Sequence, residues 1–328
     1  RPYFGYTITA MLVIHDCTAI DELRTASQYA LDQLLRGMAW PVFDWRFSGP
    51  FRRQLGRAYD QNLKNHSGLG LLKTWDKRQL RDTLTLDEIP HGRHQAIIAT
   101  VSDYQPSQRV FDALYKDGSA FVQLGHGRWA APHNLSFGEG WLLSGGGSFQ
   151  GKIKQVVPQP IMLLTENGPD SLHQIVHCPL PEKNLKVNHT GVFGPVAVSE
   201  SPFLMPKQAV LRRRDDYWQL YRISDRPKIH VLHYQDDAMH ALYVLPVPET
   251  RALELMQRIA LSNPRLKPKG RLILHTGGKL YYDIKANKRQ WVITKYEPRD
   301  SEPLEWVDRD YYEWPVEAAH DLPELNFD

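Results

Sequence analysis

The sequence predicts an α+β protein with mixed or antiparallel sheets and few helices. Short apolar runs bounded by turn residues predict strands in both halves of the chain. One apolar stripe at helical spacing lies at 253–260, and three strand patterns follow it between 271 and 296. A C-terminal helix followed by a three-stranded antiparallel meander is typical of the α+β class.

The first elements are predicted to be a strand and then a helix. Residues 6–14 are rich in β-branched and apolar side chains, which favours a buried strand. Thr18 with Asp21 three positions later resembles a capping box, and apolar residues recur at helical spacing over 20–38. Together they form an expected β-then-α unit.

The segment 40–57 is predicted to be a loop or a pair of short edge strands. Pro41, Gly49 and Pro50 interrupt it, so it cannot form one long regular element. The other expected elements of this half are, in order, a strand at 96–101, a short helix at 107–116, a strand at 119–124 and a glycine-rich stretch at 125–151.

The C-terminal half has the clearest pattern, because its helix and strand breakers fall between regular stretches. Leu253, Met256, Ile259 and Ala260 give a helical stripe that Asn263-Pro264 ends. Gly277-Gly278 is the kind of pair that tight hairpins favour. The expected strands are 228–234, 241–247, 271–275, 279–285 and 289–296.

The chain is predicted to contain two domains, a connector and a tail. Residues 178–206 hold five prolines and two glycines, a composition typical of a boundary between domains. The predicted organisation is an N-terminal α+β domain at 1–177, the connector at 178–206, a C-terminal α+β domain at 207–296 and an acidic tail at 297–328.

The composition is that of a globular protein that does not cross a membrane. The chain has 328 residues, 42% of them hydrophobic, and apolar runs such as 10–14 are short. A spanning helix needs roughly 20 apolar residues. Cys17 and Cys178 have neither the spacing of a disulfide framework nor that of a zinc site. A cytoplasmic location without a cofactor is therefore expected.

The charge is distributed unevenly along the chain. Residues 297–328 carry 11 acidic and two basic side chains, whereas the whole chain has a net charge of +3. The body of the chain is thus strongly basic and its tail strongly acidic. This asymmetry favours a polyanionic partner, with the tail as a competitor, a mask or a docking segment for other proteins. Ordinary solvated surface is the alternative.

The meander is predicted to present aromatic rings among cations on one face of its sheet. Alternation along 279–285 separates Tyr281 from Leu280 and Tyr282, and the next strand carries Trp291. Single-stranded nucleic acid is bound by rings that stack on bases and cations that neutralise phosphates. The predicted contact residues are Lys279, Tyr281, Lys285, Arg289, Trp291 and Lys295. A solvated strand face with Trp291 in the core is the structural alternative.

Two other segments offer weaker basic sites. Residues 146–152 match the glycine and lysine positions of a P-loop, but Ile153 replaces the hydroxyl residue that holds magnesium. Lys152 and Lys154 are therefore expected to contact a phosphate backbone without hydrolysis, and a plain glycine-rich hairpin loop is the alternative. In the segment 40–57, aromatic residues are interleaved with the arginines Arg46, Arg52 and Arg53, although its aromatics are also compatible with a small core.

The histidines and carboxylates do not form a recognisable metal site. His230 and His233 are three apart in a predicted strand, so they point to opposite faces. His15-Asp16 at the end of the first predicted strand is the more interesting pair, since carboxylates at strand ends often reach a crevice. A metal-dependent hydrolase or nuclease using Asp16 with His15 is accordingly one alternative function.

The leading functional hypothesis is a non-catalytic protein that binds single-stranded DNA or RNA. Three separate segments, 40–57, 146–154 and 279–295, support it independently. The chain is expected to be a subunit of a larger nucleoprotein assembly, with protein partners on the acidic tail. A structural subunit of a phage, secretion or conjugation machine is the third possibility, in which the basic patches would be incidental.

Overall fold

The computed structural model describes residues 4–48, 62–64, 67–76, 93–124, 133–146, 161–178, 190–285, 292–305 and 317–321. The chain divides into two compact units. The N-terminal unit comprises Arg1–Ser48 and Asp60–Asp117, and the C-terminal unit comprises Gly49–Tyr59 and Gly118–Asp328. Helices and antiparallel sheets are both present, which confirms the α+β class.

The described part of the N-terminal unit consists of helices and one small hairpin. The helices are α1 (Phe4–Cys17), α2 (Asp21–Ala39), α3 (Ser67–Trp75), α4 (Arg93–Val101) and α5 (Gln108–Leu114). The hairpin pairs β1 (Val42–Phe43) with β2 (Arg46–Phe47), as expected for short edge strands in this segment.

Two strand predictions in this unit are wrong. The segment 6–14 lies in α1, where Ile8 and Leu12, one helical turn apart, are fully buried while Val13 is half exposed. The segment 96–101 lies in α4, where Ile97 and Val101 share an exposed face. A continuous apolar run has no period of its own, so packing rather than pattern decides between helix and strand.

The described part of the C-terminal unit contains three antiparallel sheets and one α-helix, α6 (Glu249–Ser262). Sheet I has β3 (Ala120–Leu124), β4 (His133–Gly138), β5 (Trp141–Gly146), β6 (Met162–Thr165), β7 (Val176–His177) and β18 (Glu317–Asp321). The strand order of sheet I is β18-β3-β4-β5-β6-β7.

Sheet II has β8 (Thr190–Phe193), β9 (Val196–Ser199), β10 (Val210–Arg214), β11 (Trp218–Asp225), β12 (Lys228–Gln235) and β13 (His240–Leu245). Its strand order is β10-β11-β12-β13-β9-β8.

Sheet III has β14 (Lys269–Ile273), β15 (Lys279–Asp283), β16 (Ile293–Glu297) and β17 (Leu304–Glu305), which pair in this order.

Sheet II is the centre of this unit because apolar side chains cover both of its faces. On one face Val231 and Leu242 pack with Leu143 and Leu163 of sheet I. The other face packs against α6 and sheet III. The buried face of α6 consists of Ala252, Leu255, Met256 and Ile259, at helical spacing.

The predicted connector does not separate domains in its described part. Residues 190–199 form the hairpin of β8 and β9, and β9 pairs with β13 inside sheet II. Gly194, with φ of 52°, and Pro195 form the turn of this hairpin. The glycine and proline at 194–195 therefore mark a turn within a sheet, and the two compact units divide near residue 118.

The predicted C-terminal helix and meander are confirmed as α6 and strands β14, β15 and β16. The acidic tail contributes one strand to sheet III and one strand to sheet I of this unit. Its first strand, β17, extends sheet III beside β16, and β18 pairs with β3 at the edge of sheet I. Within the described residues, no helix combines the length and the apolar composition that crossing a bilayer requires.

Candidate nucleic-acid interface

Sheet III brings three of the predicted contact residues together on its outer face. Lys279 and Tyr281 lie on β15, and Lys295 lies opposite Tyr281 on β16. Directly opposed residues of an antiparallel pair point to the same face. Leu280 and Tyr282 point the other way and are buried in the core. The predicted separation of this strand into a wet and a dry side is thus confirmed.

Arg271 adds a cation that the sequence analysis did not assign to this face. It lies on β14 directly opposite Tyr281, and its side chain is exposed. In the register of the sheet Tyr281 therefore lies between basic residues of two neighbouring strands, and Nζ of Lys295 lies 5.9 Å from its ring centroid. The register of the hairpin could have identified Arg271 as a member of this face. Ile273 pairs with Lys279, so two residues back along β14 Arg271 pairs with Tyr281.

The carboxylate of Glu297 interacts with three side chains on the same face. Nζ of Lys295 lies 2.9 Å from Oε1, and the Tyr281 hydroxyl donates to Oε2 at 2.8 Å. Nζ of Lys279 lies 3.6 Å from Oε2. The hydrogen bonds from Lys295 and Tyr281, together with the charges of the two lysines, hold the pKa of Glu297 below its ordinary value. Sequence analysis missed Glu297 as a member of this surface.

Other cations of the meander also have acidic partners within the protein. Lys285, just beyond β15, forms an ion pair with Glu200, and Nζ of Lys269 lies 3.2 Å from Oδ2 of Asp283. Lys279, Lys285 and Lys295 were expected to be open to phosphates, whereas each is paired in the structure. Basic and acidic side chains are therefore mixed on this face.

Arg46 is a correction to the predicted set. It lies on β2 in the N-terminal unit, its side chain is completely buried, and its Nη2 lies 3.0 Å from Oδ2 of Asp44. Asp44 and Trp45 form the two-residue hairpin turn with positive φ, and this turn keeps Asp44 close to Arg46. A side chain without exposed surface cannot contact a phosphate of a bound nucleic acid.

The other predicted contact residues lie outside the described part of the chain. They are Arg52, Arg53, Lys152, Lys154, Arg289 and Trp291. The predicted pairing of Tyr281 with Trp291 thus stays a prediction.

The pair proposed for hydrolase chemistry lies on a helix rather than at the end of a strand. His15 and Asp16 occupy the last turn of α1, with Nδ1 of His15 at 2.8 Å from Oδ1 of Asp16. The ring of His15 meets that of Tyr104 edge-on, at 5.6 Å between centroids. Across the described segments, no group of three or more His, Cys, Asp or Glu side chains is arranged to hold a metal ion.

His230 and His233 point to opposite faces of β12, as their spacing predicted. Nδ1 of His230 donates to the carbonyl oxygen of Val247 at 3.0 Å on the α6 side. His233 instead packs edge-on against Phe203, at 5.7 Å between ring centroids. These two side chains therefore cannot bind one ion together.

Comparison of the chain with known protein families, with curated protein sequences and with solved structures gave no match.

Proposed function

We propose that the outer face of sheet III binds single-stranded nucleic acid, DNA or RNA, and that the chain is a non-catalytic subunit of a nucleoprotein assembly. The observation that carries this proposal is the position of Tyr281 between Arg271 and Lys295. The ring is half-buried on a face whose reverse side is anchored in the core. A sheet surface of this kind holds an aromatic platform in a fixed orientation.

The side chains on this face of sheet III are suited to binding a flexible polyanion. A base stacked on an aromatic side chain contributes about 1–3 kcal/mol, and stacking tolerates any base. Arg271 is exposed, and its guanidinium is suited to bidentate contact with phosphate oxygens. Lys279 and Lys295 already bind a carboxylate, so they exchange one anionic partner for another. Affinity is therefore expected to fall steeply with salt.

The first test is fluorescence anisotropy with labelled DNA and RNA oligonucleotides at two salt concentrations. Tyr281→Ala is expected to weaken binding roughly 5- to 100-fold, which corresponds to the loss of one stacked base. Tyr281→Phe keeps the ring and should retain affinity. Arg271→Ala should reduce the slope of log K against log salt by about 0.7.

Arg258→Ala is the matched control, because Arg258 is an exposed arginine on α6 rather than on sheet III. Binding that is independent of salt, or equal losses in Arg258→Ala and Arg271→Ala, would remove the support for this site. The alternatives make other predictions. A hydrolase would need a divalent ion and lose turnover in Asp16→Ala, and a structural subunit would associate with neighbours without binding oligonucleotides.

A further inference from the structure

The acidic segment of the chain begins on the proposed binding face itself. Its first carboxylate, Glu297, accepts from the Tyr281 hydroxyl at 2.8 Å and lies 2.9 Å from Nζ of Lys295. Nζ of Lys279 forms a longer ion pair with the same carboxylate, at 3.6 Å. These three side chains are members of the predicted nucleic-acid contact set. In the free protein they are therefore engaged by the protein's own anion.

The carboxylate of Glu297 offers these side chains the same kind of acceptor that a phosphodiester would offer. Both groups are anions with two exposed acceptor oxygens, and both accept charge-assisted hydrogen bonds from ammonium and hydroxyl groups. One oxygen of Glu297 faces Lys295, and the other faces Tyr281 and Lys279. A phosphate bound by these side chains would occupy the position that the carboxylate now holds.

The backbone keeps the acidic segment close to this face. Glu297 is the last residue of β16, and the chain returns as β17, which places Glu305 opposite Lys295 in the backbone register. Of the acids between them, Glu302 is exposed, whereas the described lysines of sheet III pair with other carboxylates. Glu297 and Glu302 thus carry equal charge in one segment but differ in contact with the site.

We propose that Glu297 competes in cis with a bound polyanion for Tyr281, Lys279 and Lys295, so that binding requires its carboxylate to leave. This inference rests on the proposed function. It assigns a specific residue to the competition between an acidic tail and an external anion. We expect the displacement to be local, because β16 pairs with β15 through backbone groups and not through this carboxylate.

The test compares Glu297→Gln with Glu302→Gln in the full chain, using the same labelled oligonucleotides. Each substitution removes one negative charge, and glutamine at 297 keeps an acceptor for the Tyr281 hydroxyl. Glu297→Gln is expected to raise affinity about 3- to 10-fold, since two exposed ion pairs no longer oppose binding. Glu302→Gln should change affinity less than about 2-fold, through net charge alone.

The outcomes separate this inference from the proposed function. If the wild type binds and Tyr281→Ala weakens it while Glu297→Gln and Glu302→Gln behave alike, the competition is refuted and the binding face stands. If only Glu297→Gln binds measurably, the competition is supported. If neither wild type nor Glu297→Gln binds, both ideas fail. Circular dichroism and thermal melting of each variant check that the fold is retained.

Discussion

Glu297 determines how the face of sheet III behaves in the absence of a partner. Its carboxylate neutralises two lysines that the sequence analysis treated as open, and it also fixes the Tyr281 hydroxyl. Exposed pairs of this kind contribute little to stability, about 0–1 kcal/mol each. They are consequently easy to exchange for another anion, which is the property that a binding surface needs.

A second pair of residues, His233 and His240, has a different consequence. Their rings stack in sheet II at 5.9 Å between centroids and an interplanar angle of 27°. Both side chains are buried, and among the described residues Nε2 of His233 and Nδ1 of His240 have no hydrogen-bond partner. Burial, with the nearby His240, lowers the pKa of His233 to about 3, and burial also lowers the pKa of His240.

The pKa of His233 predicts a loss of stability in mild acid. The unfolded chain binds a proton at the ordinary pKa of about 6.5, whereas the folded chain resists it down to about 3. The contribution of His233 is therefore complete above pH 6.5 and falls as the pH drops toward 3. His233→Phe, which keeps a ring against Phe203, should remove on the order of 2 kcal/mol of the change in unfolding free energy between pH 7 and 4.5.

The measurement is chemical denaturation of wild type and His233→Phe at both pH values. The difference between the two proteins isolates His233, because every other titrating group is shared. Equal slopes of unfolding free energy against pH in the two proteins would show that the buried imidazole does not resist protonation.

The sequence revealed part of the candidate site but not its electrostatics. Alternation along β15 was sufficient to place Tyr281 and Lys279 on one face, because a strand reverses its side chains at every residue. The carboxylate partners were not predictable in this way. Glu200 lies 85 positions from Lys285, and the burial of Arg46 depends on how the whole N-terminal unit packs.

Among the described helices, α2 and α6, whose apolar residues recur at helical spacing, were identified correctly, and so was the short helix α5. The helix α6 has apolar residues on one face and polar residues on the other, so its pattern admits one structure. The helix α1 is apolar on nearly all sides, and its run of β-branched residues favours a strand by propensity. Burial of Ile8 and Leu12 on one side of a helix outweighs that propensity.

Strands β5 and β8 approach each other closely at Gly145. A Cβ atom at this position would lie 2.7 Å from Cγ2 of Val192 and 2.9 Å from Cγ1 of Ile161. Such distances are shorter than real contacts, so only glycine permits this packing of sheet I against sheet II. Gly270 on β14 provides a contrast, since a Cβ there meets nothing closer than 3.8 Å.

Gly145→Ala is expected to destabilise the protein by about 1–3 kcal/mol, because the added methyl forces the two sheets apart. Gly270→Ala should change stability by less than about 1 kcal/mol, as its methyl has room. Thermal or urea unfolding of the two variants beside wild type measures the difference. A Gly145→Ala protein as stable as Gly270→Ala would mean that the sheets are not in contact here.

The charge asymmetry of the whole molecule does not correspond to two separate bodies. The acidic tail contributes β17 to sheet III and β18 to sheet I, so its described parts belong to the C-terminal unit. The basic body and the acidic tail thus meet on the same sheets. A protein built in this way favours a strong polyanion over weak ones, since any anion must displace the internal one.

The most direct test of the binding face is photo-crosslinking of a 5-bromouracil oligonucleotide to the full chain, followed by peptide mass spectrometry. The face proposed for sheet III predicts a crosslink at Tyr281 that diminishes when salt is raised and that increases in Glu297→Gln. Crosslinks confined to the helices of the N-terminal unit, or none at all under conditions where the oligonucleotide binds, would contradict it.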